Sequence, residues 1–142
     1  MNHELWVKSV QWVGVVVGCV IEQNGKYLLV QEKQPKVYGL WNLPAGYVGK
    51  GESIESAAIR ETKEESGLDI ALDSQILLVH ENNNATIKHV FKAHIIGGDL
   101  HAQESEILDV KWFTYDEIIK LNDDGKIRNT WMLDAIKKVH NE

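Results

Sequence analysis

The chain carries one cysteine, Cys19, so no internal disulfide can hold it together. That count fits a reducing compartment, and a cytoplasmic location is the expectation. Proline is scarce: Pro35 and Pro44 are the two in 142 residues, and both lie in the first third of the chain. Positive charge is in deficit, with 15 Lys and Arg against 21 Asp and Glu and a net charge of -6. The sequence pI is near 5.5. A nucleic-acid polymer requires a basic footprint, so this balance argues against one as the main partner. It leaves room for a small phosphorylated ligand, because a bound divalent cation can supply the missing charge. No apolar run reaches the roughly 20 residues that cross a bilayer, and no membrane partner is expected. Repeats, low-complexity tracts and linkers rich in Pro, Gly or Ser are lacking too, which points to one domain over residues 1–142. His80, His89, His94 and His101 show no metal-ligand spacing, and neither Cys19 nor any tyrosine sits in a nucleophile–base arrangement.

Residues 1–8 read as a loose lead-in, although Leu5, Trp6 and Val7 offer an apolar surface on which a second copy can pack to make a homodimer. The run from Ser9 to Ile21 is nearly all apolar, and Val16-Val17-Gly18-Cys19 resembles a lipoprotein cleavage site. The next ten residues argue otherwise. Asn24-Gly25 joins this run to Tyr27-Leu28-Leu29-Val30, which is the pattern of a β-hairpin, and cleavage at Cys19 would remove half of it. Strands are therefore expected over residues 13–22 and 27–32, an exposed loop over 33–40, and a short extended piece over 41–43. A helix is expected over 54–66, with Ser53 as N-cap and Gly67 as the stop. Strands come next over 75–81 and 86–96, joined through Asn82-Asn83-Asn84, with Gly97-Gly98 breaking the second. A strand over 108–113 and helices over 115–121 and 127–139 complete the chain. This order predicts an α/β (α+β) sandwich with a mixed sheet packed between helices.

The helix over 54–66 carries the chemistry. With Glu61 at angle zero and 100° per residue, Ile54, Ala57, Ala58, Glu64, Glu65 and Leu68 fall within about 60° of it, while Ser56, Ile59, Lys63 and Ser66 fall on the far side. The apolar stripe thus turns acidic partway along. Like charges three and four residues apart repel, and partial burial raises the cost of ionising each. Arg60, at the edge of the stripe, can neutralise one carboxylate, and Glu52 can pair with Arg60. An acidic excess remains, and hard oxygen ligands suit Mg²⁺ or Mn²⁺. A solvated acidic face is the competing reading of these residues alone.

The flanking residues shift the balance. Gly46-Tyr47-Val48-Gly49-Lys50-Gly51-Glu52 opens the segment, and Arg60-Glu61-Thr62-Lys63-Glu64-Glu65-Ser66-Gly67-Leu68 closes it. The spacing resembles the signature of the Nudix hydrolases (MutT-like) at every glycine and charged position. One departure is Thr62, where that family prefers a bulky aliphatic residue. Outside the motif the likeness is looser: the preceding hairpin, Trp41-Asn42-Leu43-Pro44-Ala45 and Val110-Lys111-Trp112-Phe113.

The resemblance implies hydrolysis of a phosphoanhydride bond in a nucleotide-like substrate by metal-activated water. It implies that Glu61, Glu64 and Glu65 bind the metal together with the carbonyl of Gly46, that Arg60 orients the carboxylates, and that Glu52 holds Arg60. The base is a motif glutamate in some members and a loop glutamate in others, for which Glu104 and Glu106 are the candidates here. Trp41 is a candidate for stacking on a base, against an ordinary core role. Lys33 and Lys36 are candidates for phosphate, against simple solvation. Trp6, Trp12, Trp112 and Trp131 give no functional signal. Nucleoside di- or triphosphates, oxidised ones included, are favoured; ADP-ribose and related sugar nucleotides are the alternative. A non-catalytic nucleotide sensor, an RNA-end hydrolase and a purely structural acidic helix are the readings from other classes.

Overall fold

The computed structural model describes residues 2–83 and 85–142, with Trp6 described by its backbone alone. Asn84, in the connection expected between two strands, lies outside the described residues. The elements are α1 (His3–Ser9), β1 (Gly14–Gln23), β2 (Lys26–Glu32), β3 (Trp41–Asn42), β4 (Ala45–Tyr47), α2 (Ile54–Ser66), β5 (Leu68–Glu81), β6 (Thr86–Gly98), β7 (Ile107–Thr114), α3 (Tyr115–Asp123) and α4 (Thr130–His140). The strands form one mixed sheet in the order β3-β2-β1-β6-β5, with β4 also paired to β1 and β7 to β2. The β1–β6 pairing is parallel. The β1–β2 pairing is antiparallel, closed by the hairpin at Asn24-Gly25, where both residues have positive φ.

Period-two alternation divides the core between the two faces of the sheet. Val17, Cys19 and Ile21 of β1 and Leu28 and Val30 of β2 pack with Ala57 and Ala58 of α2. Val20 of β1 and Tyr27 and Leu29 of β2 face the other way, against Ile118 of α3 and Met132, Ile136 and Val139 of α4. The expected sandwich is therefore present. Cys19 is a core thiol whose pKa burial pushes up to about 12, so it is inert as a nucleophile at neutral pH.

Several boundaries differ from expectation, each for a physical reason. Residues 3–9 form α1, capped by the Asn2 side chain on Leu5 N–H at 2.9 Å, rather than a loose lead-in. Strand β5 begins directly after Gly67 instead of at residue 75. Three register shifts against β6 interrupt its alternation, which erases the period-two signal. Strand β6 runs through Gly97 and Gly98, which pair with Asp69 and Leu68. The last helix starts at Thr130, capped by Asn129 on Met132 N–H at 2.9 Å. The residues just before it bond to Trp41 instead: Trp41 N–H to Lys126 O at 2.8 Å and Arg128 N–H to Trp41 O at 2.9 Å. That last difference brings Arg128 to the functional face.

Candidate active site

Helix α2 has the expected bounds, with Ser53 accepting from Ser56 N–H and Gly67 at φ +77° ending it. Its buried face is rotated from the expected one. Thr62 and Ser66 are fully buried along with Ala57, Ala58 and Glu65. Ser66 is buried at no polar cost because its hydroxyl donates to Thr62 O and accepts from Leu68 N–H. Thr62 sits on this side of the helix with none of its side chain exposed. The three carboxylates consequently form a gradient: Glu65 is 6% exposed, the Glu61 side chain 14% and the Glu64 side chain 43%.

Arg60 ties these acids to the loop ahead of the helix. Its Nε donates to Glu52 at 2.6 Å, and one terminal nitrogen donates to Glu52 at 2.9 Å and to the Tyr47 carbonyl at 3.1 Å. The other donates to Glu61 at 2.9 Å and Glu64 at 3.1 Å. Glu52 also accepts from Gly49 N–H at 2.9 Å. These bonds, Arg60 first, pull the Glu52 carboxyl down to about 2. Glu52 therefore contributes stability that is fully present above its unfolded value, about 4.5, and is lost as pH falls through about 2. In acid unfolding, Glu52→Gln is expected to lower the melting temperature near pH 6 and to converge on the parent only as the pH falls through about 2; a constant offset would show that the clamp is not electrostatic.

Burial raises the pKa of Glu61, with Arg60 opposing and Glu64 and Glu106 adding to the rise. Burial also holds Glu65 well above the usual carboxylate range, against a hydrogen bond from Ala45 N–H at 2.7 Å, and the charges of Glu61, Glu32 and Glu106 push the same way. Among the described residues, no three His, Cys, Asp or Glu side chains are gathered into a metal cage as they stand. The donor chemistry nevertheless fits a hard cation: the buried excess is all carboxylate oxygen, and one arginine is its immediate countercharge. Gly46 completes the set. A Cβ there would lie 2.2–2.5 Å from the Glu61 carboxylate, so this carboxylate rests on the Gly46 backbone.

On the other side of β4 lies a cleft of about 340 Å³, lined by Val16, Asn42, Gly46, Tyr47, Glu81, Lys88, Arg128 and Trp131 among others. Arg128 is held in it by Glu32 at 3.1 Å, and Glu32 also accepts from Asn42 Nδ2 at 3.3 Å. The candidates from the sequence sort against this geometry. Glu52, Arg60, Glu61, Glu64, Glu65 and Gly46 come together. Glu106 lies within electrostatic reach of Glu61 and Glu65. Glu104 is exposed, and its carbonyl accepts from Lys33 Nζ at 2.6 Å. Lys33 thus fastens the loop rather than lining the cleft, and Lys36 is exposed in the turn Pro35–Val37. Trp41 is a core residue, buried and edge-on to Phe113 at 4.7 Å, and does not line the cleft. Trp131, which carried no signal in the sequence, does line it, together with Tyr47. Arg128, Lys88, Glu81 and Glu32 were missed as well; the charged residues in otherwise apolar strands β2 and β6 were the available clue.

The chain is similar to known proteins over most of its length. A family model for the NUDIX domain matches residues 12–134. A putative 8-oxo-dGTP diphosphatase of Bacillus subtilis is 37% identical over 93 residues, covering 66% of this chain and 60% of the relative. An ADP-ribose pyrophosphatase of Methanocaldococcus jannaschii is 35% identical over 120 residues, covering 75% and 70%. A solved structure of a NUDIX hydrolase from Nitrosomonas europaea superposes with a TM-score of 0.80 at 30% identity, covering 91% of this chain and 89% of that one. Three other relatives are longer, among them Nudix hydrolase 2 of Arabidopsis thaliana, and the chain spans 20–38% of their lengths. The family model spans most of the chain, and the chain belongs to the Nudix family.

Proposed function

We propose that this chain hydrolyses a phosphoanhydride bond in a nucleoside di- or triphosphate or a nucleoside diphosphate derivative. The observation that carries the reading is the strip Ala45–Tyr47, which has the α2 carboxylates on one side and the cleft on the other. Glu61, Glu64, Glu65 and the Gly46 carbonyl would hold Mg²⁺, with Mn²⁺ as a substitute. A bound cation of this kind neutralises phosphate charge and acidifies a water. Arg60 aims Glu61 and Glu64, and Glu52 fixes Arg60. Glu106 is the loop carboxylate best placed to take a proton from the attacking water, with Lys33 holding that loop through the Glu104 carbonyl. Arg128 supplies positive charge at the rim of the cleft, where an anionic substrate enters. The retention of every motif carboxylate disfavours the nucleotide-sensor reading. No helix among the described residues is long and apolar enough to cross a membrane.

The test is a panel of nucleoside triphosphates and diphosphates, oxidised forms, ADP-ribose and sugar nucleotides with Mg²⁺, products being separated by chromatography. Turnover of one class, abolished by EDTA and by Glu64→Gln, is the expected result. Failure to turn over any of them, with nucleotides still raising the melting temperature, would replace the hydrolase with a sensor.

A further inference from the structure

One built polar pair in the cleft has no part in the chemistry proposed above. Lys88 of β6 is 5% exposed and pairs in register with Val16, the cleft floor. Its ammonium donates to Glu81 and to Thr86. An ammonium has three N–H donors, so among the described residues one remains for a ligand. Glu81 ends β5, is about one-third exposed and lines the same cleft. Only one of its carboxylate oxygens is engaged by Lys88, and a carboxylate can accept about four bonds. A pair buried for stability alone is poorly explained, because apolar residues of similar size do as well or better.

The walls define what fits. Gly14, Val16 and Gly18 share one face of β1. The Tyr47 ring lies over Gly14, where a Cβ would sit 2.9 Å from it, and the Trp131 indole lies over Gly18, where a Cβ would sit 3.4 Å away. Two rings therefore flank an open floor at Val16. The strand between the glycines spans about 13 Å, enough for a flat heterocycle.

We propose that the Lys88–Glu81 pair reads the nucleobase and selects a lactam purine, whose ring carbonyl adjoins a ring N–H, over an amino purine. This rests on the cleft being the nucleotide site of the proposed hydrolase. Lys88 donates its remaining N–H to the ring carbonyl. Glu81 accepts the neighbouring ring N–H and, in guanine, the exocyclic amine beside it. Hypoxanthine lacks that amine and makes one bond fewer. Adenine places an amine where Lys88 requires an acceptor, and its adjoining ring nitrogen carries no N–H to donate to Glu81. The order of preference is guanine, hypoxanthine, adenine.

Calorimetric binding of GMP, IMP and AMP to the full chain tests this without turnover, alongside kcat/KM for GTP, ITP and ATP with Mg²⁺. The expected affinity order is GMP, IMP, AMP, with about tenfold or more between the ends, as charge-assisted hydrogen bonds give. Glu81→Gln and Lys88→Met, each checked for folding by its melting curve, should compress that span to about threefold or less. Lys88→Arg keeps the charge and should retain part of the preference. Equal binding of the three, tighter AMP, or an unaltered preference in a folded Glu81→Gln would overturn the base-reading role even if all the triphosphates are hydrolysed. Ordered binding with no hydrolysis would uphold it and remove the hydrolase reading instead.

Discussion

Glu61→Gln is expected to lower kcat by about two orders of magnitude or more at saturating Mg²⁺, the scale seen when a group that stabilises developing charge is removed. The effect is electrostatic. Glu61 lies between the exposed Glu64 and the buried Glu65, against the Gly46 backbone, and receives one bond from Arg60. Glutamine keeps the shape and removes the charge that would hold a cation. The metal-free fold should change little, by about 1 kcal/mol or less, since the lost partly buried ion pair is offset by relief of the cost of burying the charge and of repulsion from Glu64 and Glu106. Arg60 stays anchored by Glu52 and the Tyr47 carbonyl. The measurement is kcat across a Mg²⁺ titration, paired with melting in EDTA. A drop of less than tenfold would place the reaction centre away from Glu61.

Gly46→Ala should be nearly as damaging to turnover, about 10²-fold, through misplacement rather than loss of a ligand. The new Cβ would fall 2.2–2.5 Å from the Glu61 carboxylate. That carboxylate is the end of a flexible side chain, so it swings aside at modest cost, about 1 kcal/mol for an off-rotamer placement. Stability is thus largely kept while the carboxylate leaves the site. Gly49→Ala is the contrast: its nearest atom, Glu52 Oε1, is 3.2 Å away, and only a small adjustment is needed. A cycle joining Gly46→Ala with Glu61→Gln checks the mechanism. If alanine acts by displacing Glu61, the double variant should be no worse than Glu61→Gln alone. Additive losses would assign Gly46 a separate role.

Different parts of this site were legible to different degrees. The motif residues were readable because a helix fixes their spacing locally: Arg60 reaches Glu64 one turn on, and Glu52 waits in the adjoining loop. The orientation of that helix was not. A wheel centred on Glu61 weighs apolar residues, while the packed helix turns toward Thr62 and Ser66, whose hydroxyl is satisfied internally. Strand β5 was half hidden because its register shifts break the alternation on which strand reading depends. Trp41 takes the core role that weighed against stacking, while Trp131, which carried no signal, lines the cleft: a burial pattern tells that an indole is covered, not what covers it.

The sequence by itself determined the family, the acidic helix and its loop, and the sandwich of helices about a mixed sheet, because periodicity and motif spacing act over a few turns of chain. The tertiary structure alone decided the cleft. Val16, Lys88, Glu81, Arg128 and Trp131 come from distant elements and meet only through the parallel β1–β6 pairing and the bonds that draw residues 126–128 onto Trp41. Contacts of such long range leave no local period in the chain, so nothing short of the folded backbone brings them together.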